Sequence, residues 1–275
     1  SPSKERDSFY ILINSSNYRH RGGGLRDGMF LGLEEDIESL IRNEETVQFF
    51  LIGVFTIMGF YHLTLFYQRH EDYVSLWFSL FLVSLGARLF FNNSYLDNFL
   101  ENPGNLQFLL NRRLEFITVF FAVPAIIGYT QYLFPSFMPK KFLKINLLIS
   151  VLAITFIIFT EPITFFKTLP FMWGQGIIAM LMTIYVAVKE AFRKTDYSIT
   201  FLISFILFLM AAIQSILVTQ HILPPPEWLP IAGTIFVFIQ SSILSKKFSI
   251  AYRTAERLSQ NLFDEVRVQT KEAVD

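Results

Sequence analysis

Four charged side chains stand inside otherwise apolar runs and have the most chemistry to offer. Arg88 lies in SLGARLFF, and Arg112, Arg113 and Glu115 lie in LLNRRLEFITVFF. A charge inside a membrane helix is costly and faces a protein interior or a water-filled cavity. Arg88 is expected to pair with Glu115, which leaves a positive surplus from Arg112 and Arg113. Two outcomes stay open: a polar pocket that receives an anionic or hydroxylated ligand, or a packing ion pair with two snorkelling arginines. Gln175, in WGQG, is the remaining candidate ligand-binding residue, because Gly174 and Gly176 beside it permit a close backbone approach. Gln131, Gln214 and Gln240 read as hydrogen-bonding groups between helices, each worth about 1 kcal/mol. His62 reads as an interface residue rather than a proton switch.

Catalytic patterns are missing. The sequence has no HExxH, no GxSxG, no P-loop and no glycine-rich dinucleotide turn. Its His residues, at 20, 62, 70 and 221, form no pair at helical metal-ligand spacing. There is no Cys, which excludes disulfides, thiolate nucleophiles and Cys-bound metals. No Lys lies midway along the last apolar run, so a retinal Schiff base has no attachment point. No enzyme, metal or cofactor is expected. A net charge of zero gives no case for nucleic acid as a partner.

The elements that position the charges are membrane helices. Hydrophobic residues make up 52% of the chain, Phe alone numbers 32, and only 17% of residues are charged. A soluble domain carries about 25% charged residues. Seven apolar runs stand near 47–67, 73–91, 109–133, 142–159, 169–188, 199–218 and 228–244. Each approaches the roughly 17–25 residues that a spanning helix needs. Pro124 permits a kink in the third. No internal repeat divides the seven, which weighs against a repeat-built transporter.

Residues 1–44 are of another kind. FYILI, residues 9–13, is short and β-rich, and MFL, residues 29–31, reads as a last strand. RHRGGG between them is either a tight solvated loop or an anion-binding turn. Two strands cannot bury a core, so this piece is expected to end a larger extracytoplasmic β-domain. Both ends of the chain look cut, and a fragment of a longer protein is expected.

Connections carry the orientation. Arg69, then Lys140, Lys141 and Lys144, then Lys189, Arg193 and Lys194, then Lys246 and Lys247 all follow odd-numbered runs or flank the connections there. The opposite connections hold almost no Lys or Arg beyond Lys167. The positive-inside rule then places the N-terminus outside and the C-terminus in the cytoplasm. A multi-pass protein of the inner membrane is expected.

The last helix is expected to run on from the membrane into water. After Gly233 neither Gly nor Pro interrupts it. Its polar half repeats at 4-3 spacing through Phe248, Tyr252, Ala255, Ser259, Leu262 and Val266. That is the spacing of a coiled-coil seam, weakened by its small and polar members. A homodimer through this seam, over 248–275, is the expected assembly.

SNYRHRGGGL…LGLEEDI, the membrane stretch FYHLTLFYQRHEDYVSLWFSLFLVSLGARLFF and the exit KFSIAYRTAERLSQNL together resemble the bacterial seven-transmembrane receptors with diverse intracellular signalling modules. The resemblance covers nearly the whole chain. It implies an outer jelly-roll sensor like carbohydrate-binding domains, hence an extracytoplasmic ligand that includes carbohydrate among its candidates. It also implies an output module that is a histidine kinase, a nucleotide cyclase or a phosphatase. The family supplies no ligand residues that transfer to this sequence. The expected whole is an all-α seven-transmembrane bundle at 45–247, with a short N-terminal β segment and a C-terminal coiled-coil helix, acting as the core of a receptor. The rival is a transporter or channel with a polar site near Arg88 and Glu115.

Overall fold

The computed structural model describes residues 32–96, 105–219, 222–224, 226 and 228–272. Its elements are α1 (Glu34–Gln68), α2 (Tyr73–Asn92), α3 (Asn105–Leu133), α4 (Lys140–Phe159), the single turn α5 (Pro162–Phe165), α6 (Leu169–Phe192), α7 (Ser198–Thr219) and α8 (Leu229–Glu272), with a 3-10 turn at Phe166–Thr168 leading into α6. Seven of the helical segments are long and apolar enough to cross a membrane.

Among the described residues every regular element is helical and no strand occurs, which corrects the expectation of a bundle with a β segment. Residues 9–13 and 29–31, where strands were expected, lie outside the described residues. What is described of the N-terminal segment is already helix from Glu34. Glu34, Glu35 and Asp36 occupy its first turn, where carboxylates offset the positive end of the helix dipole.

Sequence punctuation accounts for the other ends. Pro139 precedes α4 and cannot continue a helix backwards, while Pro162 opens α5 at a position where its missing N–H costs nothing. Pro124 does not end α3, which runs through it as one helix.

Neighbouring spans pack against one another from α1 to α4 and from α6 to α8, α3 also meets α6, and α8 returns to α1. These contacts close a ring through α1, α2, α3, α6, α7 and α8, and α3, which also carries α4, is its most enclosed member. In agreement, 67% of the most apolar stretch of α3 is buried, against 22–44% for the others. Between lipid-facing helices there is little hydrophobic drive, so close packing must hold them. Two features supply it. A Cβ at Gly128 of α3 would collide with the Trp77 ring, so only glycine lets α2 come this near. The abundant Phe residues interlock: Phe81 of α2 meets Phe208 of α7 and Phe236 of α8 edge to face, at 6.0 and 6.2 Å between ring centres. Such pairs are each worth about 0.5–1.5 kcal/mol beyond their area.

Candidate functional site

The charged cluster forms at the start of α3, with different partners from those expected. Arg112 donates to Glu115 Oε2 across 2.7 Å, one turn along the same helix. Both side chains are mostly buried, at 14% and 13% exposure. Arg112 also donates to Ser94 Oγ at 2.9 Å, which ties α3 to the residues just after α2. Arg113 donates to the carbonyl of Thr160 at 3.1 Å, the residue that ends α4. A cation there offsets the negative end of the α4 dipole. Glu115 is therefore not the partner of Arg88, and that expectation is corrected. An i,i+3 partner on the same helix needs no interhelical alignment, so it competes well against a distant one. Arg88 is half-buried and makes no ion pair among the described residues. The transport reading named a polar site near Arg88 and Glu115, and among the described residues no ion pair joins those two.

The arrangement brings Arg112, Arg113 and Glu115 together and leaves a surplus of one positive charge among those three. The Nε atoms of both arginines are buried without a hydrogen-bond partner. Their guanidinium groups join α3 to the ends of two other helices. Within the cluster the Glu115 carboxylate and the Ser94 hydroxyl are both held by Arg112.

Gln175 belongs to a different cluster. Its Nε2 donates to Ser150 Oγ at 3.1 Å and to Asn146 Oδ1 at 3.3 Å, bridging α6 to α4. All three residues are buried. The glycines beside it do not serve a close approach: a Cβ at Gly174 or Gly176 would meet nothing within 4 Å. The bridging is done by long polar side chains instead.

A buried polar group on α8 joins three helices. Gln240 is fully buried; its Nε2 donates to Ser204 Oγ of α7 at 2.7 Å, and its Oε1 accepts from the Tyr129 hydroxyl of α3 at 2.8 Å. The Ser204 hydroxyl in turn donates a hydrogen bond to the carbonyl of Phe201 at 2.9 Å. The Tyr129 hydroxyl, the Gln240 amide and the Ser204 hydroxyl thus each donate one hydrogen bond. One residue on, Ser241 Oγ lies 3.1 Å from His62 Nε2 of α1. Gln240 and His62 were legible as interhelical polar groups. Tyr129 and Ser204 were not, because a Tyr or Ser in an apolar run reads as packing; their burial beside a Gln was the missing signal.

Beyond these contacts α8 leaves the bundle. Gly233, Phe236, Val237, Gln240, Ile243 and Leu244 are buried, at the spacing of one helical face. Phe248 is half-buried, packs against the core and lies under the Arg69 guanidinium, 5.4 Å from its ring centre. The proposed seam thus loses its first member to the protein's own bundle. Tyr252, Ala255, Leu262 and Val266 are exposed, Tyr252 and Leu262 by 62% and 54%.

Among the described residues, seven helices long and apolar enough to cross a membrane define a multi-pass membrane protein. Residues 44–247 match the family described as 7TM diverse intracellular signalling, and the chain belongs to that family. Its membrane domain is a receptor-type module of signal transduction rather than an enzyme. No curated protein and no solved structure matches the chain.

Proposed function

We propose that this chain is the core of a dimeric receptor that relays an extracytoplasmic stimulus through its bundle to a cytoplasmic output module. The observation that carries the reading is the continuity of α8. It has 44 residues, and at about 1.5 Å each it is roughly 66 Å long, while the hydrocarbon core takes only about 30 Å. One rod is gripped by α1, α3 and α7 over its first half, and every residue from Ser249 to Phe263 beyond the bundle is exposed. A change in bundle packing must therefore move the exposed half.

The loop charges support an outer N-terminus and an inner C-terminus in the cytoplasmic membrane. The 4-3 spacing supports a parallel homodimer through Tyr252, Ala255, Leu262 and Val266. A carbohydrate fits the sensor domain that the family resemblance implies upstream. Arg88, Arg112, Arg113 and Glu115 serve the bundle's structure in this reading, and Gln175 serves the α4–α6 contact.

The testing experiment is oxidative cross-linking of Leu262→Cys in intact membranes, with and without added oligosaccharides. The expected result is a cross-linked dimer whose yield changes with one of them. Uptake of solute into liposomes carrying the purified protein, with no dimer, would replace relay by transport.

A further inference from the structure

The contacts between α1 and α8 recur along both helices in the same order. Phe55 Cζ lies 3.2 Å from where a Cβ on Gly233 would stand. His62 meets Ser241 at 3.1 Å, and Arg69 covers Phe248 at 5.4 Å. Phe55 and His62 in α1 and Arg69 just past its end step by seven and seven, and the α8 residues by eight and seven. Two helices that meet in this way are parallel and share the registration of a coiled coil. At about 100° per residue, Ser241, Phe248, Tyr252, Ala255, Leu262 and Val266 fall within roughly 80° of arc on α8. The face that meets α1 inside the bundle is therefore the face of the exposed seam. α1 ends at Gln68, and from Ser249 to Phe263 every residue of α8 is exposed.

We propose that one stripe on α8 has two successive occupants: α1 within the bundle, and the α8 of a second copy beyond it. The register of α1 on Ser241 and Phe248 then sets the direction in which the seam is presented. A parallel pair of this kind can transmit rotation or sliding because its packing has discrete alternatives. The second occupant is a copy of this chain because the stripe is continuous with an existing parallel helix contact, and a symmetric dimer presents the same stripe twice. This inference rests on the receptor-dimer reading above and adds the element that steers it.

The test is the ratio of disulfide dimer formed by Leu262→Cys, on the stripe, to that formed by Arg257→Cys, off it. The full chain is used in membranes; its lack of native Cys leaves no competing thiol. Gly233→Leu drives α1 away from the stripe, and the ratio is expected to fall toward one. Gly174→Leu, where a side chain meets open space, is expected to leave it unchanged. Ser241→Ala deletes one oxygen and is expected to lower the ratio by a smaller factor. An unchanged ratio in Gly233→Leu, or in Ser241→Ala if the leucine variant does not fold, overturns steering by α1 while leaving the dimer intact. No cross-linking at Leu262 in the parent chain overturns the second occupant and the dimer reading with it.

Discussion

Tyr129 and Gln240 share a hydrogen bond of 2.8 Å between α3 and α8, and neither residue has any exposed surface. The central helix of the bundle thereby holds the helix that leaves it. Gln240→Leu removes the acceptor of the Tyr129 hydroxyl and the donor to Ser204, while Ser204 keeps its own acceptor at Phe201. An orphaned buried hydroxyl costs about 1–3 kcal/mol. Gln240→Leu is expected to destabilise the detergent-solubilised protein by that amount, and Tyr129→Phe by about 1 kcal/mol. The double variant should lose less than the sum, because no hydroxyl is then left unpartnered. Reversible unfolding in mixed micelles reads these values, and strict additivity would remove the bond from the account.

Arg112 and Glu115 form a mostly buried pair, so removing one partner strands the other. Glu115→Leu is expected to cost about 1–3 kcal/mol, below the roughly 3–5 kcal/mol of a fully buried pair because some exposure remains. The double change Arg112→Leu with Glu115→Leu should cost less than Glu115→Leu and Arg112→Leu added together. Arg88→Leu should leave unfolding within about 0.5 kcal/mol of the parent. A larger effect of Arg88→Leu than of Glu115→Leu would restore the pairing first expected from the sequence.

These two cases show what was legible and what was not. Run length and composition identify seven spans, because the bilayer imposes a length that few other contexts demand. Run length marks only the apolar part of α1 from near Val47, while Glu34 to Ile41 reads as the polar start of a helix running into the membrane, and α1 does begin at Glu34. The charges were legible as costly, but their partners were not: Glu115 has Arg112 one turn away, and sequence spacing alone does not rank that against a remote Arg88. The 4-3 pattern on α8 was legible as a seam. That Phe248 belongs to the bundle was not, because the same spacing serves α1 and a partner helix alike. Gly174 and Gly176 misled for a related reason: glycine allows close approach without requiring it.

Topology follows from the loop charges. A reporter after Asp275 is expected in the cytoplasm, and one inserted within residues 92–105 is expected outside. Thiol labelling of Lys141→Cys by a membrane-impermeant reagent should require opened cells. Labelling from outside, or both reporters on one side, would reverse or break the seven-span orientation.

The last prediction concerns where the seam on α8 begins. Phe248 is half-buried under Arg69 and against the core, whereas Tyr252 is 62% exposed four residues later. One helical turn separates a side chain held by the bundle from one facing water. A scan of single cysteines should show this as a step. Phe248→Cys should react slowly with a water-soluble maleimide and give little disulfide dimer. Tyr252→Cys and Leu262→Cys should react quickly, and both should cross-link under mild oxidation. Arg257→Cys should react quickly and cross-link poorly, because it lies off the stripe. Arg69→Ala removes the cation above Phe248 and should raise the reactivity of Phe248→Cys, moving the step toward the bundle. Equal reactivity at positions 248 and 252 would mean that the bundle does not hold the exit of α8. Equal cross-linking at positions 257 and 262 would mean that the exposed half has no preferred face.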